Sequence, residues 1–286
     1  MRTEEEILTQ FDRWAQSNDL IRAAVLTSSR VGPEGAIDFL SDYDIELFVA
    51  DMETFQKDDE WLGVFGPIMV RWPFKPRSTF DEQWLTRLVL FKDGVRIDFQ
   101  ITDQMAIKPD AYEDGYKILV DKDNLTAELN EPTYSQHFVK KPSQEEYDVL
   151  VHEFWWNATY VPKYLWRDEL PFAASMLGQA VRDKYLRTVI EWSIGLQHDW
   201  SVNTGVCGKR FKRYLDAETW SEFESTFAGA DIEENWQAFS NGVTLFGKLA
   251  RIVGSSLDYD YPAQMEEEMI NYYSKIRNTK KSPPSE

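Results

Sequence analysis

The 286-residue chain has one cysteine, Cys207, and three histidines. A single Cys excludes an internal disulfide. Together with His137, His152 and His198, scattered far apart, it is a poor basis for a zinc site or a Cys/His nucleophile. Long apolar runs are also missing. The longest blocks, such as Val89–Phe91 and Phe154–Trp156, are broken by charge and fall well short of the ~18 residues a membrane span needs. The acidic start, Met1-Arg-Thr-Glu-Glu-Glu, lacks the apolar stretch expected of a secretory signal. Positive charge is scarce: 31 Lys and Arg against 49 Asp and Glu leave a formal charge of −18. That disfavours a protein that coats nucleic acid by neutralising phosphates, and it draws small cations toward the surface. No Gly-x-Ser-x-Gly elbow makes Ser28 or Ser29 a hydrolytic nucleophile. These absences predict a cytoplasmic protein with neither a membrane nor a nucleic-acid partner; oligomeric state is not legible.

Hydrophobic residues make up 43% of the chain and aromatics 14%, enough for a packed core. Ile7, Leu8, Phe11, Trp14 and Ala15 lie on one helical face, with Thr3 and Glu6 spaced as a capping box. Ile21–Leu26 reads as a strand, followed by Thr27-Ser28-Ser29-Arg30 and a loop with Gly32, Pro33 and Gly35. Tyr43–Val49 alternates cleanly: Tyr43, Ile45, Leu47 and Val49 on one face, Asp42, Asp44, Glu46 and Phe48 on the other. Asp51–Phe65 is expected to be helical. Leu85–Phe91 and Val95–Ile101 read as strands joined by Lys92-Asp93-Gly94, a hairpin signal. On the second, Arg96, Asp98 and Gln100 share the polar face. Lys117–Val120 is one more short strand.

Near Lys140-Lys141-Pro142-Ser143 the pattern turns helical, over 143–165, 169–197, 208–228, 232–254 and about 262–276, with Pro162 expected to kink its helix. The fold class is therefore α+β: a mixed sheet flanked by helices, then a helical bundle. The expected domains are 1–140, 141–277 and a disordered tail, 278–286.

The pattern richest in chemistry is Ser28-Ser29, then Asp42-x-Asp44, then Asp98. Acids two apart on a strand project from one face. Three converging carboxylates resist joint ionisation unless a cation neutralises them, and hard oxygen donors suit a divalent ion. Two Mg²⁺ held there would clamp the attacking and leaving oxygens of a phosphoryl displacement. Acids on the outer face of a half-solvated strand are otherwise ordinary. The small-residue turn upstream, with exposed backbone N–H groups able to cradle phosphate, favours the metal reading.

In that order these residues resemble the nucleotidyltransferase superfamily, which has a Gly-Ser turn, Asp-x-Asp or Asp-x-Glu on the next strand and a third acid later. The chain is more closely similar to the aminoglycoside 6-adenylyltransferases (streptomycin adenylyltransferases). The similarity is carried by Ser29-Arg30, Asp42-Tyr43-Asp44-Ile45, Glu60-Trp61-Leu62, Leu119–Asp123, Glu153-Phe154-Trp155, Thr159-Tyr160-Val161 with Lys163, and Lys212–Leu215. It extends over almost the whole chain. One departure is Ser28, which stands where the family has Gly; Ser accepts a positive φ only at a cost.

The resemblance implies AMP transfer from Mg-ATP to a hydroxyl of a polycationic antibiotic, streptomycin first, with release of pyrophosphate. It implies metals on Asp42, Asp44 and Asp98, with Asp98 as general base or third ligand. Ser28, Ser29, Arg30, Lys163 and Lys209 would hold the triphosphate or pyrophosphate. Carboxylates and aromatic walls would hold the cationic acceptor. Glu153, Trp155 and Trp192 are the main candidates, beside Trp156, Asp168, Glu169 and Glu191. Two alternatives keep the fold: another acceptor (a lincosamide, or a protein or nucleic-acid end), or a module that binds nucleotide without catalysis.

Overall fold

The computed structural model describes residues 2–32, 37–75 and 83–280. Pro33 and Gly35 of the expected loop, and residues 281–286 of the expected tail, lie outside the described residues. The chain divides into two compact units, Met1–Gln136 and His137–Glu286.

The first unit is built on a six-stranded sheet. Helix α1 (Glu4–Ser17) opens it, with the capping box closed between Thr3 and Glu6 and with Ile7, Phe11, Trp14 and Ala15 buried. Strand β1 (Ile21–Thr27) leads into a single tight turn, Ser28–Arg30. Strand β2 (Tyr43–Val49) follows. The expected helix over 51–65 is instead two pieces: α2 (Met52–Lys57), capped by Asp51, and a 3₁₀ turn, Glu60–Phe65. Asp58 and Asp59 interrupt it. Strand β3 (Ile68–Trp72) was not expected, because its apolar residues do not alternate. Strands β4 (Leu85–Phe91) and β5 (Arg96–Thr102) form the hairpin, closed by Phe91 N–H donating to the Val95 carbonyl at 2.8 Å, with Gly94 at φ 85°. Strand β6 is Lys117–Asp121.

The spatial order is β3-β4-β5-β2-β1-β6. Among the described residues only β2 and β5 pair in parallel. One sheet face carries the main core: Tyr43, Ile45, Leu47, Ile97, Phe99 and Ile101 pack with Phe11, Trp14, Leu62 and Phe65. The opposite face is covered at one end by a smaller cluster of Ala23, Val25, Phe48 and Tyr112. At its other end that face carries acids.

Below the sheet's apolar face sits a buried charge cluster. Arg87 is fully buried, donates to Asp59 at 2.7 Å and shares it with Arg71. Desolvation pulls the Arg87 guanidinium down to about 10.

The second unit is helical. Ser143 caps α3 (Gln144–Ala158) with a second capping box. Helix α4 (Tyr160–Trp166) starts afresh, so Pro162 falls in a first turn, where a missing N–H costs no helical bond. Helix α5 (Leu170–Ser175) passes into a π-helical stretch, Met176–Leu186, and on into α6 (Arg187–Gln197). Arg187 N–H reaches back five residues to the Arg182 carbonyl. The expected helix over 208–228 is broken into α7 (Phe211–Tyr214) and α8 (Ala217–Glu224). Helices α9 (Ile232–Leu257) and α10 (Ala263–Asn278) complete the bundle around Phe154, Trp155, Tyr185, Phe246 and Tyr273. Asn278 thus belongs to a helix, and the Thr279 carbonyl accepts Trp166 Nε1–H at 2.6 Å, so the expected tail begins as ordered chain. Among the described residues no helix is long and apolar enough to cross a membrane.

Candidate active site

Strand register brings the acids together. In the parallel β2–β5 pair, Asp44 stands directly opposite Asp98, and on the other side of β2, Thr27 stands opposite Asp44. Residues paired in this way share a sheet face. Asp42 lies one step before β2. Alternation keeps Tyr43, Ile45 and Leu47 in the core and leaves Asp44 half-buried on the other side.

The three acids feel one another. Burial first, then the Asp98 and Asp42 carboxylates, push Asp44 up to about 6. Asp42 is also raised, mainly by burial and against the pull of Arg96. Arg96 is the residue that sequence reasoning left out of the site. Its Nε and Nη2 donate to the two Asp98 oxygens at 3.0 and 2.7 Å, and its Nη1 approaches Asp42 at 3.4 Å. The signal was available, since Arg96 and Asp98 are two apart on one strand face. Among the described residues, three acids do not close into a metal cage. Instead a guanidinium stands between Asp42 and Asp98. The donor set is all carboxylate oxygen, gathered where burial and then the neighbouring carboxylates make Asp44 resist ionisation. Such a set fits a hard divalent cation.

The turn after β1 is formed by Ser28. Its backbone takes φ 63°, the left-handed conformation expected of the family's Gly, and its side chain hydrogen-bonds the Asp44 carboxylate. Ser28 and Ser29 are both exposed. The substitution therefore preserves the turn, and the non-catalytic alternative loses the feature that favoured it.

Arg30 departs from its expected phosphate role. Its guanidinium donates to the Asp42 and Ser41 carbonyls at 3.0 and 2.7 Å and to Glu4 at 3.0 Å, and it stacks on Tyr43 at 3.7 Å. It is almost wholly buried, so it holds the approach to β2 in place rather than facing a ligand.

In the second unit, Trp155 and Trp192 are corrected outright as acceptor walls. Trp155 is 1% exposed and Trp192 is part of the same helical core. Trp156 is 69% exposed and lies one helical turn from Glu153 on α3. Glu153 pairs with Lys184 at 2.9 Å, and that bond lowers its carboxyl below the usual range. Lys163 is partly buried, 5.5 Å from the Tyr160 ring; Lys209 is exposed.

A family model described as streptomycin adenylyltransferase matches residues 1–276. This chain belongs to the streptomycin adenylyltransferase family. Relatives named aminoglycoside 6-adenylyltransferase are 34% identical in Bacillus subtilis (strain 168), covering 92% of this chain and 94% of the relative. One from Campylobacter jejuni is 32% identical over 98% and 97% of the two chains. One from Staphylococcus aureus is 30% identical over 97% of each. A crystal structure of an aminoglycoside 6-adenyltransferase from Bacillus subtilis aligns with 98% of this chain and 100% of that one, at 26% identity and a TM-score of 0.48.

Proposed function

We propose that this family member transfers AMP from ATP to a hydroxyl of an aminoglycoside, streptomycin first among them, and thereby inactivates the drug. The observation that carries the chemistry is the in-register Asp44–Asp98 pair beside the Ser28 turn. Family membership carries the acceptor class.

The acceptor oxygen attacks the α-phosphorus, the bond to the β-phosphate oxygen breaks, and pyrophosphate leaves with that electron pair. The hydroxyl proton passes to Asp98. Arg96 fixes the orientation of that carboxylate, and each of its oxygens keeps a second lone pair for the proton. Asp42 and Asp44 are the residues to hold Mg²⁺, which when bound supplies positive charge against the triphosphate. Ser28 and Ser29 offer backbone N–H groups to the leaving end. Dependence on ATP is the reason to expect action in the cytoplasm.

The test is direct. Purified protein with ATP, Mg²⁺ and streptomycin should release pyrophosphate and add the mass of one AMP to the drug. Absence of both products across a panel of aminoglycosides refutes the reading.

A further inference from the structure

The row that joins Asp44 to Asp98 continues across the sheet. Asp98 stands opposite Leu88, and Leu88 opposite Trp72. Two residues along, Arg96 stands opposite Leu90 and Leu90 opposite Val70. All of these belong to the acid-bearing face. Leu88 and Leu90 are partly buried, while Val70 and Trp72 are 58% and 56% exposed. At the other end of this face Phe48 is buried beneath Trp84 and Tyr112. The acids therefore border a solvent-facing apolar strip on β4 and the edge strand β3.

In-line displacement decides which substrate lies at which end. The leaving and attacking oxygens stand on opposite sides of the α-phosphorus. Strand β1 runs from Thr27, opposite Asp44, straight into the Ser28–Ser29 turn, so the leaving end lies on the β1 side. The attacking hydroxyl must come from the Asp98 side. The body of the molecule that carries it then extends over Leu88 toward Trp72, ~10 Å further across two strand spacings. An indole presents an apolar face to a saccharide ring and a negative π-face to a cation.

We propose that Trp72, backed by Leu88 and Val70, is an acceptor wall of the first unit, packing a ring of the polycationic aminocyclitol and one of its cationic groups. This rests on the adenylyl-transfer reading and adds a binding surface to it.

The test compares Trp72→Ala and Trp72→Phe with the unaltered protein, varying streptomycin at saturating ATP and then ATP at saturating streptomycin. The expected result is a KM for streptomycin raised about tenfold in the Ala variant, an ATP KM within twofold, and most of the loss recovered by Phe. A streptomycin KM within twofold of the unaltered protein overturns the wall, as does a parallel rise in the ATP KM. Sedimentation showing that Trp72→Ala dissolves a dimer also overturns it, since the strip would then join two copies of the chain. Should the unaltered protein release no pyrophosphate, the adenylyl-transfer reading fails by itself. Calorimetry with streptomycin alone then decides the wall: weaker binding to Trp72→Ala supports it, and equal binding ends it. Melting temperatures of both variants separate a lost contact from a lost fold.

Discussion

Replacing Asp44 with Asn should stabilise the metal-free protein while abolishing its activity. Asp44 rises from 3.8 to about 6 on folding, chiefly because it is buried and next because Asp98 and Asp42 are close. For an acid raised in the folded state, the folded form holds the proton more tightly than the unfolded chain. Metal-free stability is therefore fullest below the unfolded value and falls as pH climbs through the folded one. A rise of about two units is worth about 3 kcal/mol at most. Asp44 is only half-buried, so solvent screening reduces this to about 1.5 kcal/mol. Asn removes the charge and keeps an oxygen for the Ser28 hydroxyl. In EDTA at pH 7.5, Asp44→Asn should melt about 3–6 °C above the unaltered protein. At pH 4 the two should coincide. Pyrophosphate release should vanish in the variant, and Mg-ATP should no longer raise its melting temperature. A variant that melts lower at pH 7.5, or that keeps its turnover, refutes the idea that Asp44 is a strained ligand awaiting a cation.

Four other changes probe further residues. Arg96→Met removes the guanidinium that competes for Asp42 and Asp98, so Mn²⁺ without nucleotide should bind several-fold more tightly by electron paramagnetic resonance, while turnover falls as Asp98 loses its orientation; unchanged Mn²⁺ affinity would separate Arg96 from the metal site. Arg30→Ala should lower stability by about 1–3 kcal/mol in urea titration and reduce kcat with little change in the ATP KM, because it frees the Ser41 and Asp42 carbonyls; a raised ATP KM at constant kcat would restore the phosphate role. Trp155→Ala should cost about 3–5 kcal/mol by opening the helical core, whereas Trp156→Ala should leave the melting temperature almost unchanged; equal effects would contradict the burial of Trp155.

Much of the first unit was legible because strand alternation and turn chemistry agreed. Tyr43–Val49 is both the strand read from its pattern and the strand observed, and Asp93-Gly94 turns the hairpin as its φ preference demands. Ile68–Trp72 escaped because an edge strand with Met69, Val70 and Trp72 exposed has no buried face to impose a period of two. The helix expected over 51–65 broke at Asp58-Asp59, where Asp59 is drawn inward to the buried Arg87, a long-range pairing with no local signature. The acid triplet was legible from its order along the chain. The pairing of Arg96 with Asp98 was legible too, two residues apart on one strand face, and was passed over; the role of Arg30 was not, because its partners Glu4, Ser41 and Asp42 are brought to it by the fold. Trp155 and Trp192 misled for a related reason: a helix rich in tryptophan reads the same whether its rings face a drug or a core.

The parallel pairing of β2 with β5 has a consequence for how the protein comes into being. A hairpin turn cannot join two parallel strands. The partners Asp44 and Asp98 therefore meet only once α2, β3 and β4 have been laid down and the crossover is closed. Forming such distant contacts is a slow, entropically costly step. A nascent or partly unfolded chain thus lacks the Asp44–Asp98 pair on which the proposed adenylyl transfer depends. Nucleotide affinity should return in step with the last structural phase of refolding, which makes it a natural gauge of how much of the population has reached the finished sheet.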